Sequence, residues 1–492
     1  MRRSVLAVLT AALLVAVAAP AGAHPTDAVA PTLPTDLTHA KTNNVEYLGR
    51  FPEHAGTAGG LLGPDGKTFY ITDPRGVYTY DVTNPASPTL LDSVAVYQTS
   101  SGTGAALAQE DPDTNGKILL VDGSTTPQGS NTLQIVDVSN PRDLKIAASL
   151  ASTTDHTWEC ISATDATTGE INGCAYAYGR TGTTIIDLRV PTTPKKLATG
   201  WRAKVGLASG YTHDINEIRP GLAMSAGATN VLMDTTNPAS PVKLATITQT
   251  GRFPALGYHS VEWAQGGRDP YVIMGTEITP GPVETGGAGA GSDCEGANSV
   301  IETWDASQIL AGLDAYALGE PASTAFAGKS FVKADTFDAG GRGIFLTGNA
   351  PANQLYCAHW FEPSPSFASG GLMAVAYYDR GTRFVNVGAD GKMSEIGWMV
   401  PAEGHAGSVQ WMNNEIVYVM DYRRGLEILR LKPTPATGVV QEEPAAIAVG
   451  SHYVPQSALR VERLTTAALG LLGLGVAGGR LRRSRRHATE QD

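Results

Sequence analysis

Ten histidines occur in the 492 residues, and six of them return at one phase of the chain: His54, His156, His213, His259, His359 and His405. Each stands where one group of short apolar segments ends and the next begins. Neutral imidazole binds copper, iron and zinc, so three or four such rings brought together would make a transition-metal site. Glu159 and Glu262 each follow one of these histidines by three residues, where a carboxylate could hydrogen-bond a ligating ring or act as a base. The same placement also suits a structural histidine that donates across neighbouring strands. Calcium is a second candidate. Asp111-Pro-Asp113-Thr-Asn115-Gly116, with Asp122 at the twelfth place, follows the D-x-[DN]-x-[DN]-G pattern of an oxygen-lined loop. Asn115-Gly116 reads equally well as a hairpin turn that needs no ion.

Other chemistries fail on spacing. Gly328-Lys329-Ser330 lacks the upstream glycine of a phosphate loop, because position 323 is Ser. The Gly-rich stretch 285–296 follows no strand-to-helix pattern, and no G-x-S-x-G nucleophile elbow is present.

The elements that would position the histidines are written in a repeat. VYTYDVTNPASP from Val77, LQIVDVSNPRDL from Leu133, TIIDLRVPTTP from Thr184 and VLMDTTNPASP from Val231 share an apolar strand, an Asp and a proline turn. The marks Asp81, Asp137, Asp187 and Asp234 are 56, 50 and 47 residues apart, and weaker copies follow at Asp305, Asn386 and Arg430. That makes seven units, with spacings of 71 and 81 where insertions sit. Asp-Gly and Asn-Gly turns join the first strands of a unit, and the proline ends the third, since it cannot donate to a ladder. Four short strands per roughly 50–55 residues is the blade of a β-propeller. The expected fold is therefore all-β: a seven-bladed propeller of four-stranded blades over residues 45–432. EYLGRFPEHAG from Glu46 matches EIGWMVPAEGHAG from Glu395, so the N-terminal strand is expected to close the ring by completing blade seven.

LQIVDVSNP at Leu133–Pro141 and its sister copies resemble the LVIVD repeat of bacterial secreted and surface β-propellers. The resemblance implies fold and export, and carries over no catalytic residue. Metal-holding propellers such as carotenoid-cleaving oxygenases and thiol oxidases offer an analogy of architecture, not of sequence. Two functions stand against each other. One is a surface binding or scaffold module for a protein or small ligand at a propeller face. The other is a metal-dependent oxidoreductase using the histidines at the mouth of the central channel, with copper, iron or zinc.

The ends of the chain point outward. Arg2 and Arg3, the apolar run from Val5 to Ala19 and Ala21-Gly22-Ala23 form a signal peptide over residues 1–23, followed by a leader at 24–44. Residues 433–457 are a Pro-containing linker. Residues 458–492 hold an apolar run at Leu464–Gly479 and a cluster of Arg480, Arg482, Arg483, Arg485 and Arg486. This order resembles PEP-CTERM sorting tails, although no Pro-Glu-Pro motif precedes it. It implies surface retention through a membrane anchor or a processed sorting signal. In an oxidising compartment four cysteines suggest two disulfides, Cys160–Cys174 and Cys294–Cys357. Lys and Arg number 36 against 47 Asp and Glu, a net charge of −11, which argues against a nucleic-acid partner.

Overall fold

Strand pairing in the computed structural model sorts the chain into seven antiparallel sheets. The structure describes residues 39–57, 59–96, 110–122, 131–153, 155, 157–207, 212–248, 257–276, 300–339, 358–401, 404–432, 434 and 439–442. The first strands of the blades are Gly59–Leu62, Asp113–Thr114, Trp158–Thr164, Thr212–Arg219, Ser260–Glu262, Phe361–Pro363 and Ala406–Trp411. First strands of consecutive blades pack against one another and so line the axis.

Ring closure follows the sequence expectation. Val45–Phe51 pairs with Gly425–Leu431 as the fourth strand of blade seven, in the register Val45↔Leu431 to Phe51↔Leu426. The ring also draws in more chain than expected. His39–Thr42, from the segment read as leader, pairs with the outer strand Met393–Pro401 of blade six. Val439–Glu442, from the segment read as linker, pairs outside it, so this blade has six strands.

The core explains why the strands read as nearly unbroken apolar runs. Among the described residues there are seven buried clusters, each filling one gap between consecutive blades. Side chains alternate along a strand. Ile118 and Leu120 therefore enter the gap toward blade three, while Leu119 and Val121 enter the gap toward blade one. A blade is covered on both faces, and both sets must be apolar.

The repeated Asp ends its strand by taking a backbone N–H two residues on. Asp81 accepts from Thr83, Asp137 from Ser139, Asp187 from Arg189, Asp234 from Thr236 and Asp305 from Ser307. These are Asx turns. The proline turns that follow lock one blade to the one before it. Tyr418 Oη donates to the Pro85 carbonyl, Thr79 Oγ1 to Pro141 and Tyr178 Oη to Pro238. The expected insertion in blade five contains the helix Ser307–Ala317 and a short turn of helix at Ala322–Ala325.

Cys160 and Cys174 form the expected disulfide between the first two strands of blade three. Cys294 and Cys357 lie outside the described residues, as do the signal segment and the C-terminal tail. Among the described residues no helix is long and apolar enough to cross a membrane.

Candidate metal centre

Backbone register, rather than sequence distance, decides which side chains meet at the axis. In blades four and five the residue paired with the motif Asp is Leu222 (with Asp234) and Tyr271 (with Asp305). Four residues further on, Ala226 and Gly275 face Asp214 and Ser260 on the first strand, so His213 and His259 occupy the preceding place. In blade six Ala376 receives the backbone N–H of His359 as Gly275 receives that of His259, which sets His359 in the same place. Blade two pairs Ile118 with Asp137 and Asp113 with Leu120. Glu110 stands three residues before the first strand, Asp113–Thr114, and its carboxylate reaches the place where the others have histidine. Sequence reading found no histidine in blade two and overlooked this carboxylate. Its signal was the run Glu110-Asp-Pro-Asp113 counted back from the Asn115-Gly116 turn.

These four side chains converge. The Nε2 atoms of His213, His259 and His359 lie 3.7, 3.8 and 3.7 Å from Glu110 Oε2. Glu110, His259 and His359 offer donor atoms all within 4.8 Å of one another. The His213 ring stacks on His259 with centroids 3.6 Å apart, and His259 lies 4.5 Å from His359. All three rings are buried. Zinc-type metals hold nitrogen and oxygen donors at about 2.0–2.2 Å, which separates neighbouring donors by roughly 3–3.5 Å. The three Glu110–imidazole separations exceed that spacing by a few tenths of an ångström.

The tautomer of His359 sharpens this geometry. Its Nδ1 donates to the Gly407 carbonyl at 2.5 Å, and a carbonyl can only accept. Burial holds the ring far below the usual imidazole range, at about 3, with the Gly407 bond opposing and His405 adding slightly. The neutral ring therefore turns an Nε2 lone pair toward a carboxylate oxygen. Donor lone pairs gathered around one point suit a cation. Three nitrogens in the set favour copper, iron or zinc over calcium or magnesium, which take oxygen donors.

Aromatic side chains wall the cluster. Trp360 lies 5.0 Å from the His259 ring and 6.1 Å from both His213 and His359. Its buried indole N–H has no hydrogen-bond partner among the described residues, so it is a donor that a small polar ligand could use. Tyr378 lies between His359 at 4.6 Å and His405 at 4.3 Å. Tyr422 Oη donates to Glu110 Oε1 at 3.3 Å.

Two of the six expected ligands are engaged elsewhere. His54 Nδ1 contacts Asp73 at 3.1 Å and its Nε2 contacts Tyr80 Oη at 2.6 Å, so both ring nitrogens serve the blade. It stands five residues before the first strand of blade one, too early to reach the axial place. By the same register Gly407 fills the axial place of blade seven, two residues after His405. The His405 Nδ1 bonds Asp379 at 2.6 Å and its ring stacks on Tyr378. His156 lies outside the described residues.

The expected roles of Glu159 and Glu262 are corrected as well. Each first strand presents an open edge to the axis, and the side chains of the preceding blade cover it. Asp113 accepts from Cys160 N, Glu159 from Glu217 N, Asp214 from Val261 N, Glu362 from Trp411 N, and Gln410 from Leu62 N. Glu262 accepts from the Asn216 amide at 3.1 Å. Glu159 belongs to this belt, and Glu262 is held by the Asn216 amide of the preceding blade. Burial raises the belt carboxyls: Asp113 to about 6, with its backbone bonds opposing, and Glu362 to about 8. Glu159 and Glu262 are also pushed well above the usual range, by burial first and then by neighbouring carboxylates.

The same register sets the residues of the expected calcium loop apart. Asn115 Oδ1 accepts from Lys117 and Ile118 N, as an Asx turn does. Asp122 stands at the far end of the five-residue strand Ile118–Asp122, roughly 13 Å along it at 3.3 Å per residue. Asp113 is spent on Thr114 and Cys160. Asp113 and Asn115 therefore serve the axial belt and a hairpin turn.

No protein-family model matches the chain, and no curated protein matches it. Among solved structures it is similar to the β-propeller domain of Cps50 (Swd1) from Myceliophteria thermophila. Identity is 10% and TM-score 0.47, covering 80% of this chain and all of that one. It is also similar to the WD40 repeats of RRP9, at 9% identity and TM-score 0.44, covering 80% and 99% of the two chains.

Proposed function

We propose that this β-propeller is an exported, surface-retained metalloenzyme of the oxidoreductase class. Its ion is held at one mouth of the channel by His213, His259, His359 and Glu110. One observation carries the reading: three imidazole Nε2 atoms from three blades lie 3.7–3.8 Å from a single carboxylate oxygen of a fourth. A redox-capable metal, copper or iron, suits a neutral three-nitrogen, one-carboxylate set. The chain's own part is to fix the donors. The Gly407 carbonyl sets the His359 tautomer, stacking orients His213 on His259, and Trp360 excludes water from one side while offering an N–H. Export is supported by the signal-type N-terminus, the apolar and arginine-rich tail, and the disulfide of blade three.

The experiment is metal analysis of the purified mature chain. About one copper or iron per chain is expected, falling to near zero in His259→Ala and Glu110→Ala while both variants stay folded. Retained zinc would shift the reading to hydrolytic chemistry. A folded chain that takes up none of the three metals would overturn it, leaving the propeller as a binding or scaffold module.

A further inference from the structure

We infer that Tyr422 is the positioning residue of this centre, setting Glu110 as a ligand through one oxygen. The inference rests on the metal reading above and specifies how one of its ligands is held.

Glu110 stands three residues before the first strand of blade two with three rotatable side-chain bonds, and its side chain is 17% exposed, against 0–4% for the three rings. The histidines are fixed by burial and stacking, but a glutamate in this place can turn either oxygen, or both, toward an ion. Tyr422 removes that freedom. Its hydroxyl donates to Oε1, which leaves Oε2, the oxygen facing all three Nε2 atoms, to meet the cation. The bond runs from blade seven to blade two across the mouth, passing over blade one, so no strand ladder could supply it.

Tyr422 is itself placed by the backbone. Its N–H donates to the His405 carbonyl at 3.0 Å, and its carbonyl accepts from Gly56 N at 2.7 Å. Its ring lies on Gly407, where an added Cβ would come within 2.6 Å of Tyr422 Cε2. That glycine has two duties at one position. Its carbonyl sets the His359 tautomer, and its missing side chain admits the ring that orients Glu110. The two ligand-orienting bonds are thus joined through a residue that tolerates no larger side chain. Partners that orient metal ligands typically change affinity 10–100-fold when removed.

Cobalt(II) is the probe, added to the metal-free full-length mature chain, with binding read by titration and by the visible absorption of the bound ion. Tyr422→Phe keeps the ring and deletes the hydroxyl. It is expected to bind one cobalt about ten-fold more weakly, with a shifted visible spectrum and an unchanged unfolding midpoint. In a Glu110→Ala background, Tyr422→Phe is expected to change neither affinity nor spectrum further. The inference is overturned if Tyr422→Phe matches the parent in affinity and spectrum. It is equally overturned if the loss is the same size with and without Glu110, which would make Tyr422 a packing residue only. A parent chain that binds no cobalt overturns the metal reading and this inference with it, whereas a parent that binds and a Tyr422→Phe that binds identically overturns the inference alone.

Discussion

At the scale of single residues, histidines of one sequence phase divide into two jobs. His213, His259 and His359 gather at the axis, while His54 hydrogen-bonds Asp73 and Tyr80 inside blade one. Replacing His54 removes two buried bonds and leaves the Tyr80 hydroxyl without its acceptor, a cost of roughly 2–4 kcal/mol. His54→Ala is therefore expected to lower the denaturant midpoint markedly while retaining the parent's metal content. Equal metal loss in His54→Ala and His259→Ala, both folded, would refute the division. The recurrence of the rings was legible because residue type alone marks them. Their division was not, because a two-residue offset before Gly407 and a five-residue offset before Gly59 act through register. Glu110 stayed hidden for the same reason: a search for one residue type cannot see a carboxylate in the equivalent place.

At the scale of elements, the strand Val45–Phe51 closes the ring by hydrogen bonds to Gly425–Leu431, and its end residues Val45 and Phe51 are buried in two different inter-blade clusters. Burying two such side chains is worth about 3–6 kcal/mol, and losing the strand also exposes an open sheet edge. A chain beginning at Pro52 is expected to unfold at a much lower temperature and to self-associate on size-exclusion chromatography. A chain beginning at Val45 loses the added strand His39–Thr42 and with it the pairing of Val439–Glu442, and should keep the parent's oligomeric state with a smaller shift. Similar behaviour of the two chains would count against closure by this strand. This element was readable beforehand because Glu46–Gly56 repeats the outer-strand wording of Glu395–Gly407. The strands His39–Thr42 and Val439–Glu442 were not, since short runs outside the repeat carry no periodic signal and gain their place only by pairing.

At the scale of the molecule, the ring turns an acidic composition into a pH response. Glu362 is half-buried, accepts from Trp411 N and Gln410 Nε2, and is raised by burial to about 8. An unfolded glutamate releases its proton near 4.3. Between those values the folded chain holds a proton that the unfolded chain has lost, so stability falls as pH rises, by up to about 1.4 kcal/mol per pH unit for one group. Below about pH 4 this contribution is fully present, and above about pH 8 it is gone. Glu362→Gln is expected to flatten the loss of stability between pH 5 and 8 by about one proton's worth, read from denaturant midpoints across that range; an unchanged slope would mean the carboxyl is ionised in the fold. Seven blades, with their two-faced apolar strands and Asp-ended turns, were written in the repeat; the belt and the centre it surrounds arise only when the ring closes. The most direct test of that centre is anomalous X-ray diffraction at the absorption edge of the retained metal, from crystals of the mature chain. The expected result is one peak within roughly 2.0–2.3 Å of the Nε2 atoms of His213, His259 and His359 and of Glu110 Oε2. A peak bound elsewhere, or none at this mouth after metal is supplied, would contradict it.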